Sequence, residues 1–175
     1  VAATDVPVTV KHRIGIDGME SYEELCHFVE TVGKGGCEHF IVHARIAILG
    51  GLSPKQNREI PPLKYEVVQS LKKDFPDLAF SINGGILNLE SAQHHLGPEG
   101  GGMDGVMIGR AAYHEPWNVL ADADHVIYGE GDVPKTRQDI INRMVPFIQK
   151  NLENGVPLNT MTRHMLGLFH GCNGG

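Results

Sequence analysis

Phe80-Ser81-Ile82-Asn83-Gly84-Gly85 is a short apolar run that ends abruptly in an amide and two glycines. A run this short, bounded by turn residues, reads as a buried strand, and the glycines permit a turn too tight for a side chain. Three other runs have the same form: Val8-Thr9-Val10-Lys11, Phe40-Ile41-Val42-His43 and Val106-Met107-Ile108-Gly109-Arg110. Their end residues Lys11, His43, Asn83 and Gly109 stand 32, 40 and 26 positions apart, close to the length of a strand-plus-helix unit. That spacing predicts parallel α/β structure, and in a barrel of this kind all four ends gather at one mouth, the face where barrel proteins do chemistry.

The intervening segments read as crossover helices. Ser21-Tyr22-Glu23-Glu24 is a capping box, followed by Leu25, Phe28, Val29 and Val32 at helical spacing and a Gly35-Gly36 stop. A long polar loop, Leu52-Ser53-Pro54-Lys55-Gln56-Asn57-Arg58-Glu59-Ile60-Pro61-Pro62, precedes a helix carrying Tyr65, Val68, Leu71 and Phe75 and closed by Pro76. A third, short helix begins near Asn88 and ends at Gly97-Pro98. Beyond Arg110 the rhythm changes. Pro116 and Gly129-Glu130-Gly131-Asp132-Val133-Pro134 read as a linker. Thr136 then caps a helix with Ile140, Ile141, Met144, Val145, Ile148 and Leu152, and one further helix is expected from about Leu158 to Phe169. Residues 1–125 are therefore expected to form four strand-helix units, and 126–175 part of a small helical domain.

A complete eightfold barrel typically needs about 250 residues, and this chain has 175, beginning at Val1 and ending at Gly174-Gly175. It is expected to be a fragment: half a barrel whose two open edge strands rely on a missing half. With 41% hydrophobic residues and scattered charge, disorder is not expected. No apolar run approaches a membrane span and no signal-peptide pattern is present, which points to a cytoplasmic protein, with an organelle left open. The three cysteines, Cys26, Cys37 and Cys172, are odd in number and lack CxxC spacing, which argues against a disulfide framework or a zinc site, and no metal is expected. The net charge of −6 offers nucleic acid no global attraction, so any RNA contact must come from a local basic patch.

At the strand ends, Gly84-Gly85 and Gly109-Arg110 fall where barrels commonly hold a phosphate. Glycine lets backbone N–H groups approach an anion and arginine supplies a bidentate clamp. Tight strand-to-helix turns would explain the glycines but not the arginine. Lys11 is either a solvated surface lysine or an ammonium that offsets negative charge on a reduced flavin. His43 either hydrogen-bonds a ring or is a satisfied core histidine. Arg45 falls on the face of His43 if the strand continues, and could serve cofactor or substrate.

Val10-Lys11-His12-Arg13-Ile14-Gly15, Phe40-Ile41-Val42-His43-Ala44-Arg45, the loop from Gly51 to Leu63, Ile82-Asn83-Gly84-Gly85-Ile86, Asp104-Gly105-Val106-Met107-Ile108-Gly109-Arg110-Ala111-Ala112-Tyr113 and Thr162-Arg163-His164-Met165-Leu166-Gly167-Leu168-Phe169-His170-Gly171 together closely resemble the A-type tRNA-dihydrouridine synthases. The resemblance covers nearly the whole chain. It implies the C-terminal half of an FMN-binding TIM (β/α)8 barrel followed by part of an all-helical tRNA-binding domain. It also implies an oxidoreductase that takes reducing equivalents from NADPH and reduces the C5=C6 bond of uridines 20 and 20a in the tRNA D loop. By this match Lys11 and His43 hold the isoalloxazine ring, Asn83, Gly84 and Gly85 bind toward the phosphate, and Gly109 and Arg110 close on it. Arg163 corresponds to a tRNA-contacting position. Arg45 joins it as a substrate residue, and Arg58 and Lys55 add a basic surface or belong to a solvated loop.

Two departures stand out. Members of that family usually carry a lysine directly after the His-Ala-Arg strand and an aromatic two residues on, where this chain has Ile46 and Ile48. The family's catalytic cysteine lies on an earlier barrel loop that these residues do not include. Cys37 precedes its strand, at the opposite barrel end from the flavin, Cys26 lies in a crossover helix, and Cys172 follows the last helix, so no catalytic residue is expected within the chain and the isolated fragment is expected to be inactive. Two other functions remain open on the residues alone. One is an FMN-dependent barrel oxidoreductase of a small molecule, which leaves Arg163 without a purpose. The other is a non-catalytic phosphate- or RNA-binding module. The oligomeric state is not legible.

Overall fold

A computed structural model describes residues 4–131 and 136–172. Val1, Asp132, Val133, Pro134 and Gly174-Gly175, used above to read the chain ends and the linker, lie outside the described residues. The chain divides into two compact units, Val1–Ile86 with Glu90–Met107, and Leu87–Leu89 with Ile108–Gly175.

The first unit is a four-stranded, all-parallel sheet in the order β1 (Thr9–Arg13), β2 (His39–His43), β3 (Ala79–Asn83), β4 (Gly105–Met107). This is the α/β arrangement expected, four successive units of a TIM barrel wall. Helices α1 (Tyr22–Lys34), α2 (Tyr65–Asp74) and α3 (Leu89–Leu96) follow the first three strands. Ser21 and Glu24 form the capping box that starts α1, and Phe75 ends α2 one residue before Pro76.

Strand side chains alternate between faces. Phe40, Val42, Phe80 and Ile82 point to the helical side and are fully buried, together with Val29 of α1 and Val68 and Leu71 of α2. Phe40 and Phe80 stack at 5.7 Å, and Phe28 covers His12 at 4.9 Å although Phe28 itself is partly exposed. Cutting Phe80 back to alanine would cost about 3–5 kcal/mol. The start of β4 is fastened by Asp104, whose carboxylate accepts from the Phe80 N–H at 2.7 Å and from Lys72 at 2.8 Å. Burial opposes ionisation of Asp104, but these donors outweigh it and hold its pKa below the ordinary carboxylate value.

The other face carries Lys11, Arg13, His39, Ile41, His43, Ser81 and Asn83, which fall in rows: Lys11 pairs with Ile41 and Ile41 with Ser81, while Arg13 pairs with His43 and His43 with Asn83. β1 therefore runs two residues past Lys11. The lysine is mid-strand and not at the strand end as the sequence predicts, and Arg13 occupies the row of the strand ends.

The second unit is helical: α4 (Arg110–His114), α5 (Pro116–Leu120), α6 (Ala123–Tyr128), α7 (Arg137–Glu153) and α8 (Leu158–Thr162). Pro116 does not mark a linker but opens α5 at a first-turn position, where a missing N–H costs nothing. Thr136 and Asp139 form a capping box at α7 as expected. The single helix expected from Leu158 to Phe169 is instead α8 and a separate 3-10 turn, Leu166–Phe169. A Cβ at Gly167 would lie 2.3 Å from the His114 carbonyl oxygen, so the backbone there packs directly on the end of α4. Leu168, buried against this unit, anchors the turn.

Candidate flavin-binding face

The ends of β2 and β3 and the start of α2 are tied into one frame by backbone bonds. The Ala44 N–H donates to Asn83 O at 2.9 Å and the Lys64 N–H to Ala44 O at 2.8 Å. On this frame the Lys11 ammonium donates to Asn83 Oδ1 at 3.0 Å, and Asn83 Nδ2 donates to Met107 O at 2.8 Å. Partial burial, and then the charge of Arg13, lower the Lys11 pKa below its ordinary value.

After Asn83 the chain turns through two left-handed residues, Gly84 at φ 118° and Gly85 at φ 69°. A Cβ on Gly84 would stand 2.7 Å from His43 Cδ2, and one on Gly85 2.6 Å from Leu63 Cδ1. Both conformation and space therefore require glycine. The Gly84 carbonyl accepts from the Tyr65 hydroxyl at 2.6 Å. Lys11, His43, Asn83, Gly84 and Gly85 are thus brought together as one donor-rich patch: an ammonium, an imidazole, an amide and a side-chain-free turn.

Beside the patch lies the loop of residues 51–63. Arg13 Nη1 donates to Ile46 O and to Asn57 O, each at 2.8 Å, and Asn57 Oδ1 accepts from the Ile48 N–H at 3.0 Å. Arg45 Nη1 donates to Glu59 O at 3.2 Å and to Pro61 O. Arg45 therefore grips the loop backbone. Arg58 ends a 3-10 turn, Gln56–Arg58, and is exposed. Burial first, then the charges of Arg45 and Arg58, lower the Arg13 pKa, so the three guanidinium groups form a local concentration of positive charge on an acidic chain. Ile46 and Ile48, the positions where the resemblance leads one to expect a lysine and an aromatic, flank this anchor, with Ile46 buried.

Gly109, Arg110 and Arg163 belong to the second compact unit. Gly109 precedes α4 with φ −99°, so no left-handed backbone demands glycine there, and Arg110 is the exposed first residue of α4. Arg163 Nε donates to His164 Nε2 at 3.1 Å, and His164 Nδ1 lies 2.8 Å from the Tyr113 hydroxyl. The first nitrogen is then the lone-pair side of a neutral ring and the second carries the hydrogen.

Arg13 and Tyr65 escaped the sequence reading as site residues. Arg13 was only part of a motif and Tyr65 only an apolar helix position. Both act on backbone carbonyls of distant residues, which leaves no local signature. Cys37 is buried, donating to His39 O at 3.4 Å, and burial raises the Cys26 thiol above its ordinary pKa. Among the described residues no group of His, Cys, Asp and Glu is placed to hold a metal ion, and no helix is long and apolar enough to cross a membrane.

The dihydrouridine synthase (Dus) family profile matches residues 1–175. Curated relatives named tRNA-dihydrouridine(20/20a) synthase include one from Synechocystis, 53% identical over 169 residues (97% of this chain, 49% of the relative). Another, from Pseudomonas aeruginosa, is 51% identical over 172 residues (98% and 50%). A third, from Escherichia coli K12, is 55% identical over 170 residues (97% and 48%). The chain spans about half the length of the curated relatives it matches.

Proposed function

This chain belongs to the dihydrouridine synthase family, and from that premise we propose that it forms the C-terminal part of an enzyme that reduces the C5=C6 bond of uridines 20 and 20a in the tRNA D loop, with FMN as cofactor and NADPH as reductant, in the cytoplasm. The observation that carries this reading is residue identity of 51% to 55% over nearly the whole chain with proteins named for that activity.

The donor set fits a phosphorylated flavin. Lys11, His43 and Asn83 present one cation and several hydrogen-bonding groups on one face, and the Gly84–Gly85 turn beside them carries no side chain of its own, with Gly84 buried and Gly85 exposed. Bound flavin supplies the two reducing equivalents of the reaction. In this reading Lys11 offsets negative charge on the reduced ring, His43 and Asn83 orient the ring, Gly84 and Gly85 bind toward the phosphate, and Gly109 and Arg110 close on the phosphate, the guanidinium in a bidentate grip. Arg58 and Arg163 contact tRNA, and Arg45 serves it by holding the loop in place. Residues 1–125 act as the barrel half and 126–175 as the RNA-gripping helical part, although the compact units divide earlier, at Met107.

Adding hydrogen across a carbon–carbon double bond needs an acid at the second carbon. In this reading Lys11 and His43 are taken up by the flavin, Cys37 is buried, and burial raises the Cys26 thiol. The resemblance to the family implies that the acid is a cysteine on an earlier barrel loop that these residues do not include, so the 175-residue chain alone is expected to be inactive.

The full-length protein, kept anaerobic, should show flavin absorbance that NADPH bleaches and that in vitro transcribed tRNA restores. Restoration by a small pyrimidine such as orotate but not by tRNA would favour a small-molecule oxidoreductase. Absence of flavin would favour a non-catalytic module.

A further inference from the structure

The two glycines after β3 create a difficulty for anion binding. A turn free of side chains can bring N–H groups close to a phosphate, but the same freedom lets its peptide groups rotate. A turn that presents its carbonyl oxygen instead of its N–H repels the anion. A group that fixes the peptide orientation is therefore needed, and Tyr65 meets that description.

Tyr65 is the first residue of α2, and its hydroxyl donates to the Gly84 carbonyl at 2.6 Å. No cis peptide bond occurs among the described residues, and in a trans peptide the C=O and the following N–H point in opposite directions. With the Gly84 oxygen drawn to Tyr65, the Gly85 N–H is directed away from the phenol. Among the described residues no backbone carbonyl accepts from it. The phenol is itself held. Its ring meets the buried His95 edge-on at 4.6 Å, and its helix begins directly after Lys64, whose N–H is bonded to the end of β2. Burial raises the phenol pKa, so the hydroxyl remains a donor throughout the working pH range.

We infer that Tyr65 is a positioning residue that sets the Gly84–Gly85 peptide so that the Gly85 N–H is presented to the phosphate of a phosphorylated flavin. This rests on the proposal that Asn83, Gly84 and Gly85 bind toward that phosphate.

The test is to titrate the flavin-free, full-length protein and its Tyr65→Phe variant with FMN and with riboflavin, following flavin fluorescence. Riboflavin shares the ring and lacks the phosphate. The variant should bind FMN about five- to tenfold more weakly, the worth of one well-made hydrogen bond, and riboflavin as the parent does. Equal weakening of both ligands would mean that Tyr65 merely supports the fold, and unchanged FMN affinity would mean that the peptide needs no such anchor. Either overturns the inference. A parent that binds the two flavins equally would instead overturn the phosphate reading beneath it. Preserved riboflavin binding in the variant also certifies that it is folded.

Discussion

The Lys11 ammonium and the Asn83 side chain meet at 3.0 Å although a whole strand, β2, lies between theirs. Neighbouring strands are about 4.8 Å apart, so β1 and β3 are separated by roughly 10 Å, and only a long side chain lying along the face can close that gap. Asn83 passes the connection to β4 through Met107 O, so a single chain of bonds runs across the sheet on the face assigned to the flavin.

Replacing Lys11 with methionine keeps the stem and removes the charge. Flavin affinity should fall about tenfold, in line with a charge-assisted hydrogen bond. The lowered pKa of Lys11 means that the folded protein releases this proton before the unfolded chain does, so the parent should gain stability as pH rises toward the ordinary lysine value of 10.5. Chemical denaturation across alkaline pH should show that gain in the parent and its absence in Lys11→Met.

His12 gives the opposite end of the pH scale. Its Nδ1–H donates to Arg13 O at 2.7 Å, which leaves Nε2 buried without a partner. Burial lowers its pKa; the bond to Arg13 O works against this, and the Lys11 charge adds to the lowering. The unfolded chain therefore takes up a proton first, and stability should decline as pH falls below the ordinary value of 6.5. His12→Asn keeps a donor near Arg13 O and loses the ring contact with Phe28, so it should be less stable at neutral pH and show a shallower acid-side decline, the buried His95, whose pKa is lowered in the same way, keeping its own share. Melting temperatures measured across that range decide it.

Arg13 ties the loop of residues 51–63 to the segment after β2, donating to Asn57 O within the loop and to Ile46 O outside it. Arg13→Met should cost about 1–3 kcal/mol in stability. Amide hydrogen exchange should accelerate in that loop well before it does in β2 or β3. Uniform acceleration across the first unit would remove the anchor from the account.

Arg163 is the residue through which the helical unit is proposed to meet RNA. In the full-length protein Arg163→Glu should raise the KM for tRNA, leave flavin reduction by NADPH unchanged, and flatten the dependence of tRNA binding on salt, because one phosphate contact is lost. Identical tRNA binding by parent and variant over a salt series would exclude this contact.

Much of the fold was legible because local chemistry and global structure agree. Ser21 with Glu24 and Thr136 with Asp139 cap helices where their spacing says they do. The short apolar runs ending in Lys11, His43, Asn83 and Gly109 fall on or directly follow four parallel strands. What was missed depends on contacts remote in sequence. The break after α8 comes from Gly167 packing on His114, and α4, α5 and α6 are too short to show a helical period. The polar residues His12 and Arg13 hide from the sequence that the strand continues past Lys11. They remain in β1, with His12 turned to Phe28 and Arg13 carrying the loop.

The most direct test of the central claim is mass spectrometry of nucleosides from tRNA incubated with the full-length protein, FMN and NADPH. The account predicts dihydrouridine at positions 20 and 20a, formed only when flavin and NADPH are both present, and none from the 175-residue chain alone. A full-length protein that binds flavin and oxidises NADPH yet leaves every D-loop uridine unreduced would contradict it.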